Sequence, residues 1–126
     1  MLEQILYCHV PVSHLENAIK WYKEILHLEF VWHSEEERQA QLNFPSGQML
    51  FLVESTHQTT ATFKVNNQAH PVIAFQCKHI KELANHLKSN AVKVENIMDD
   101  GLGNLFLDFY DPDGNKFNVQ CDKGKF

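Results

Sequence analysis

Hydrophobic and polar positions along the chain follow two different periods, and these periods occur twice in the same order. At residues 6–12 apolar side chains occupy alternate positions, which is typical of a strand with one buried face. At residues 15–26 they recur at helical spacing, which predicts an amphipathic helix packed on a sheet. Strand-like patterns at residues 28–32, 39–44 and 49–53 complete a βαβββ unit.

The same order of elements returns in the second half of the chain. Residues 72–77 predict a strand, residues 80–87 a helix, and residues 92–97, 105–110 and 116–121 three more strands. The offset from Tyr7 to Val72 is two residues shorter than the offset from Pro45 to Pro112, so one alignment with a small insertion covers both halves. We therefore expect an α+β fold in a single domain. Its two βαβββ modules span residues 5–54 and 70–122, and a polar linker spans residues 55–69.

Two local signals mark boundaries within these modules. In the sequence DPDGN at residues 111–115, Pro112 presets a turn value of φ, while Gly114 and Asn115 tolerate positive φ, so a tight hairpin is predicted. Ser13 stands three residues before Glu16, which is the spacing of a capping box and predicts that the first helix begins there.

Composition and charge exclude several classes of protein. The chain has 126 residues and a net charge of -5, which argues against a nucleic-acid partner. No apolar run approaches the length of about 18 residues that a membrane helix needs, so we expect a soluble, cytoplasmic protein without a membrane partner. The three cysteines are far apart in apolar runs, and we expect reduced, buried thiols.

A family resemblance rests on two of these segments. Residues 12–22, VSHLENAIKWY, and the DPDGN turn closely resemble the vicinal oxygen chelate superfamily, which contains glyoxalase I, bleomycin-resistance proteins, fosfomycin-resistance enzymes and extradiol dioxygenases. The resemblance implies an incomplete barrel of two modules around a cavity, with the helices outside, and it implies a homodimer. The sequence departs from the family pattern at one position, where His14 replaces the usual Asp.

The resemblance also gives the positions of a metal site. Metal-using members of the family carry His or Gln in the first strand of each module and Glu in the fourth. The matching positions here are Tyr7, Phe51, Val72 and Asn118. One amide and no carboxylate lack the charge and donor strength that offset dehydration of a divalent cation. We therefore expect no metal or other cofactor, and whether the protein catalyses a reaction is left open.

A shifted metal site is the alternative. His9 lies two residues after Tyr7, and His70 lies two residues before Val72, so both histidines keep the parity of the cavity face. If the two first strands are neighbours, His9 and His70 form a cross-strand pair. The function would then be that of a metal-dependent lyase, transferase or dioxygenase, in which the metal polarises two neighbouring substrate oxygens.

The remaining inference concerns the ligand. The residues predicted to line the cavity are rich in rings and amides: Tyr7, His9, Trp32, Phe51, His70, Gln76, Tyr110 and Asn118, accompanied by Gln41, Asn43, Ala74 and Phe106. Such a lining suits a flat, partly apolar small molecule, and the acidic balance favours a cation. The leading interpretation is a binding protein of the bleomycin-resistance type that sequesters a small aromatic or cationic drug or metabolite. In the other interpretation the rings fill the barrel themselves.

Overall fold

The order of strands and helices follows the two hydrophobic periods. The computed structural model describes residues 1–122. The first module contains β1 (Tyr7–Val12), α1 (Leu15–Glu24), β2 (Glu29–Ser34), β3 (Gln39–Asn43) and β4 (Met49–Glu54), and a hairpin follows with β5 (Thr62–Val65) and β6 (Gln68–Pro71). The second module contains β7 (Ala74–Gln76), α2 (Ile80–Ser89), β8 (Met98–Asp99), β9 (Asn104–Tyr110) and β10 (Lys116–Asp122). The predicted α+β class with two βαβββ modules is confirmed.

The modules form two compact units, one of residues Met1–Thr60 and one that begins at Ala61. In the first, the strand order is β1-β4-β3-β2, with β1 parallel to β4 and the other pairs antiparallel. Alternate strand residues are buried on the face that α1 covers: Val10, Val12, Ala40, Leu42, Leu50 and Leu52 pack with Leu15, Ala18 and Tyr22. The residues between them in sequence lie on the other face, which no helix of this module covers.

The second module repeats this arrangement. Its strand order is β7-β10-β9-β8, with β7 parallel to β10 and the other pairs antiparallel. The core consists of alternate residues of β9 and β10 and the apolar stripe of α2: Leu105, Leu107, Phe109, Phe117, Val119, Cys121, Ile80, Ala84 and Leu87. Both helices are ten residues long. Among the described residues no helix combines the length and apolar character needed to cross a bilayer.

Two segments differ from the prediction. Much of the stretch interpreted as a polar linker forms the β5–β6 hairpin, whose turn residues Asn66 and Asn67 have φ of 50° and 68°. Two consecutive left-handed residues are characteristic of a type I′ hairpin turn, which asparagine tolerates. The strand predicted at residues 92–97 is wrong in position: apart from a single bridge between Val94 and Phe109, pairing begins at the two-residue β8.

The start of α1 also differs from the prediction. The N-cap is His14, not Ser13, and its Nδ1 accepts a hydrogen bond from the Asn17 N–H at 3.5 Å. The Leu15 N–H donates to Oε2 of Glu54 at 2.9 Å, so a carboxylate at the end of β4 satisfies a helix donor. A partner 39 positions away in sequence cannot be found by local capping rules.

The DPDGN turn forms as predicted, but Asn115 acts through its side chain. Gly114 takes the positive φ, at 84°. Asn115 is fully buried; its Nδ2 donates to Oδ2 of Asp111 at 2.7 Å, and its Oδ1 accepts from the Ala61 N–H at 2.7 Å. This buried amide joins the turn to the beginning of the β5–β6 hairpin.

Candidate functional site

Four aromatic or imidazole rings cluster on the open face of the first sheet. Tyr7 and His9 lie on β1, and their ring centroids are 5.1 Å apart. Phe51, beside them on β4, lies 4.4 Å from Tyr7 and 5.9 Å from His9. Trp32 on β2 approaches Phe51 edge-on at 6.0 Å. We call these four residues the aromatic face.

Two side-chain amides border the aromatic face. The Trp32 Nε1–H donates to Oε1 of Gln41 at 2.8 Å, and Gln41 Nε2 donates to Oδ1 of Asn43 at 3.0 Å. This chain of hydrogen bonds fixes the orientation of the indole. Trp32 remains 40% exposed and Tyr7 38% exposed, so the rings are held in place without being buried within their own module.

The family's metal does not fit the donors at the positions that the resemblance gives. Tyr7 and Phe51 contact each other through their rings, Val72 is an exposed aliphatic residue, and Asn118 donates from Nδ2 to Oδ1 of Asp108 at 2.8 Å. A phenyl, an isopropyl, a phenol and an engaged amide do not form the oxygen and nitrogen shell of a hard divalent ion. Within residues 1–122 no group of three or more His, Cys, Asp or Glu side chains could hold a metal ion.

The second module contains a cavity of about 590 Å³ between the β5–β6 hairpin and the open face of its sheet. The side chains relevant to binding are His70 from β6, Phe106 and Asp108 from β9, and Lys116 and Asn118 from β10. A second cavity, of about 480 Å³, also contains Phe106, Asp108 and Asn118 in its wall and extends towards Glu95.

Charged groups are concentrated around Lys116 in this wall. Its ammonium lies 3.2 Å from Oε2 of Glu95 and 3.7 Å from Oδ2 of Asp108, and it donates to the Ala69 carbonyl of the hairpin at 3.4 Å. Burial acts to lower the pKa of Lys116, but the hydrogen bond to Glu95 and the nearby negative charges raise it above its ordinary value. Lys116 is therefore a fixed cation that fastens the hairpin to the sheet.

Some of the site residues predicted in the second module line a cavity, and others do not. Asn118 and His70 both line the larger cavity. Tyr110 lies beside it, and its hydroxyl donates to Oε2 of Glu95 at 3.3 Å. Gln76 pairs with Gln120 across β7 and β10 and lies outside the linings of the two cavities.

The shifted metal site assumed that His70 keeps the parity of the first strand of the second module, and the structure contradicts this. His70 lies on β6, opposite Phe63 of β5, and their rings are 4.9 Å apart. A bend at Val72 separates β6 from β7, so the parity counted back from β7 does not extend to His70. His9 lies on β1 of the first module.

Sequence reasoning missed Asp108 and Lys116. Asp108 lies between Phe106 and Tyr110 at alternate positions of β9, and Lys116 lies two residues before Asn118 on β10. The alternation that selected Phe106, Tyr110 and Asn118 therefore selects both missed residues as well. The lining predicted for this face contained no carboxylate and no lysine.

The family is decided by comparison with known proteins. The sequence model of the Glyoxalase/Bleomycin resistance protein/Dioxygenase superfamily matches residues 4–119. The chain belongs to this superfamily. The resemblance noted in the helix start and the DPDGN turn is thereby confirmed for nearly the whole chain. A comparison with curated proteins found no match.

Several solved structures share the fold of this chain. An integron cassette protein from the mobile metagenome of the Halifax Harbour sewage outfall has a TM-score of 0.77 at 22% identity, covering 95% of this chain and 99% of the other. The fosfomycin resistance protein FosX from Listeria monocytogenes has a TM-score of 0.77 at 17% identity, with coverages of 96% and 94%. A glyoxalase family protein from Enterococcus faecalis has a TM-score of 0.71 at 24% identity, with coverages of 94% and 97%.

Proposed function

We propose that this superfamily member is a small-molecule-binding protein that holds a flat, partly apolar ligand on its aromatic face. The observation that carries the proposal is the cluster of Tyr7, His9, Trp32 and Phe51 on one open sheet face. Three of these side chains are large apolar groups, and grouping them on an uncovered face leaves apolar area in water. A planar ligand removes that area from water and gains offset or edge-on contacts with the rings.

Polar groups around the rings add directionality. Gln41 and Asn43 are oriented by their mutual hydrogen bond and by the Trp32 indole. His9 makes ring contacts with Tyr7 and Phe51, and within residues 1–122 its ring nitrogens make no hydrogen bond. The imidazole is therefore available to donate to a ligand or to accept from it. A few directed bonds beside an apolar surface are the usual composition of a small-molecule site.

The family context agrees with sequestration of a drug or metabolite. The superfamily includes bleomycin resistance proteins, and a structurally similar protein is a fosfomycin resistance protein. The side chains of Tyr7 and Phe51 do not fit the family's metal, so binding without turnover is the simpler function for this face. The net charge of -5 favours a ligand with positive charge. We also propose a homodimer, which light scattering at two protein concentrations tests directly.

Tryptophan fluorescence tests the proposal. In the Trp21→Phe variant Trp32 is the single indole, and N-methylquinolinium, a flat aromatic cation, should quench its emission in a saturable manner that EDTA does not change. Cyclohexyltrimethylammonium has the charge without the flat ring and should bind at least about tenfold more weakly. Equal affinity for the two cations would contradict the stacking mechanism.

Two substitutions assign the binding to the aromatic face. Tyr7→Ala in the Trp21→Phe background should weaken N-methylquinolinium by about tenfold, because one stacking partner is lost. Phe63→Ala is the matched control, since Phe63 is also a half-exposed ring but lies on the β5–β6 hairpin. If Tyr7→Ala leaves the affinity unchanged, or if Phe63→Ala lowers it equally, the aromatic face is not the site.

A further inference from the structure

The cavity wall of the second module already holds a cation. The Lys116 ammonium is surrounded by the carboxylates of Glu95 and Asp108 and by the carbonyl of Ala69, and it lies 5.8 Å from the centroid of the Tyr110 ring. Carboxylates, a carbonyl and an aromatic face are the groups that proteins use to bind organic cations. The groups around Lys116 therefore indicate that this wall stabilises positive charge.

An anion finds little to bind here. An ammonium has three protons and no acceptor, and oxygen atoms of Glu95, Ala69 and Asp108 already lie 3.2, 3.4 and 3.7 Å from Lys116 Nζ. The smaller cavity is lined by the carboxylates of Glu95 and Asp108 and by no lysine or arginine among the described residues. Its wall therefore carries a net negative charge, which repels carboxylates and phosphates.

Acceptor capacity remains at Asp108 and Asn118. An ionised carboxylate accepts about four hydrogen bonds, and within the described part of the chain the Asp108 carboxylate receives one from Asn118 and a long contact from Lys116. Asn118 uses Nδ2 in that bond, and no described residue donates to its Oδ1. Both side chains line both cavities, so a donor-rich group entering either space meets the same acceptors.

The shape of the site favours a planar donor. Phe106 lies two residues before Asp108 on β9, on the same face of the strand, and it lines both cavities. A flat cation can place its N–H groups on the Asp108 carboxylate while its plane rests against the Phe106 ring. Amidinium and guanidinium groups combine planarity, paired N–H donors and a delocalised charge, whereas an ammonium is a compact point charge.

We infer that the wall shared by the two second-module cavities binds the amidinium or guanidinium end of a small organic molecule, with Asp108 and Asn118 as acceptors and Phe106 as the stacking surface. Lys116 acts as a tethered competitor, because its ammonium shares the Asp108 carboxylate with the ligand. This inference concerns residues of the second module, whereas the proposed function is argued from rings of the first. The two are therefore tested by different substitutions.

Three probes of nearly the same shape test the sign of charge. Benzamidine is cationic, benzamide is neutral and benzoate is anionic. In calorimetric titrations of the full chain, benzamidine should bind at least about tenfold more tightly than either of the other two. In NMR spectra of a ¹⁵N-labelled sample, benzamidine should also shift the signals of the Asn118 side-chain amide. These signals are identified because they are missing from the spectrum of Asn118→Asp. Preferential binding of benzoate, or equal binding of all three, overturns the inference.

Two substitutions should change benzamidine affinity in opposite directions. Asp108→Asn keeps the size of the side chain but removes its charge, and it should weaken binding about tenfold. Lys116→Met keeps the aliphatic stem but removes the competing ammonium, and it should strengthen binding several-fold. Glu36→Gln, at an exposed acid in the β2–β3 turn, is the charge-matched control and should have no effect. A weaker complex with Lys116→Met contradicts the tethered-competitor role, even if Asp108→Asn is destabilised.

Failure of this inference can be distinguished from failure of the proposed function. Benzamidine is itself flat and aromatic, so the titration is repeated with Tyr7→Ala, which removes one ring of the first-module aromatic face. Retained benzamidine affinity in Tyr7→Ala together with weaker binding by Asp108→Asn supports the second-module site. The reverse pattern overturns it and leaves the aromatic face as the sole binding surface.

Discussion

The guanidinium of Arg38 contacts the carboxylate of Glu54 at two points, with Nε 3.1 Å from Oε1 and Nη2 2.8 Å from Oε2. Arg38 directly precedes β3 with a left-handed φ of 52°, and Glu54 ends β4. Oε2 of Glu54 also accepts from the Leu15 N–H at the start of α1. The side chains of Glu16 and Glu35 complete the cluster, at 2.8 and 2.7 Å from Arg38. One guanidinium therefore connects the helix start, the β2–β3 turn and the end of the sheet.

This cluster predicts loss of stability in acid. The hydrogen bond from Arg38, followed by that from the Leu15 N–H, lowers the pKa of Glu54 from 4.5 to about 2. A lowered folded-state pKa means that the contribution is fully present above the unfolded-state value and is lost as the pH falls through the folded-state value. The melting temperature of the native chain should therefore fall between pH 5 and pH 2, and it should fall less in Glu54→Gln.

Thermal unfolding followed by circular dichroism across that pH range makes the comparison. Glu36→Gln removes an exposed acid of the same turn and should follow the native curve. Parallel curves for the native chain and Glu54→Gln would mean that the Arg38–Glu54 contact does not govern the acid response.

Removing the buried amide of Asn115 should destabilise the second module. Asn115→Ala removes the acceptor of the Ala61 N–H and the side-chain donor to Oδ2 of Asp111, while the backbone N–H groups of residues 113 and 115 still donate to Oδ1 of Asp111. An unsatisfied buried donor or acceptor costs about 1–3 kcal/mol, so a loss of about 2–4 kcal/mol in the free energy of unfolding is expected. Urea denaturation measures it, and Asn17→Ala on the exposed side of α1 should remain within about 0.5 kcal/mol of the native value.

The metal content of the purified protein separates the two functional classes. Because Tyr7 and Phe51 occupy the positions of metal ligands, protein purified without chelator should contain well below one equivalent of Mn, Fe, Ni or Zn by elemental mass spectrometry. His9→Ala and His70→Ala should not change that content. Retention of roughly one equivalent of metal that both variants release would instead establish the shifted-site, metal-dependent alternative.

The thiol of Cys77 should react slowly with alkylating reagents. Burial, followed by the charge and hydrogen bonding of the neighbouring Cys121 thiol, raises the pKa of Cys77 to about 11. Since the thiolate is the reactive form, iodoacetamide labelling of the Cys77 peptide should rise steeply with pH towards that value. Cys121→Ala removes the second and third causes and should accelerate labelling at pH 8. An unchanged rate would assign the shift to burial alone.

The alternation of apolar residues was sufficient to predict much of the fold. Val10 and Val12 on β1 and Phe117 and Val119 on β10 are buried as their spacing indicates. The same alternation placed Tyr7, Phe51 and Asn118 on the opposite faces, where the structure also has them. Burial on one side of a two-residue period depends only on local spacing, which is why these predictions transfer to the structure.

The features that were missed depend on partners distant in sequence. The α1 donor is satisfied by Glu54, and the DPDGN turn is fastened to Ala61 through Asn115. The parity given to His70 was counted across Val72, where a bend ends the alternation. Local periodicity carries no information about such contacts, and parity fails at any bend or bulge.

The packing of the Tyr7 and Phe51 rings also has an evolutionary consequence. Replacing either ring alone by an ion-binding side chain would break the aromatic contact and supply a single ligand, which is too few to hold a divalent ion. A lineage passing from this chain to a metalloenzyme would therefore cross intermediates that have lost the ring contact before gaining a complete metal site. Laboratory selection for metal-dependent turnover should accordingly begin from libraries that vary Tyr7, Phe51, Val72 and Asn118 together.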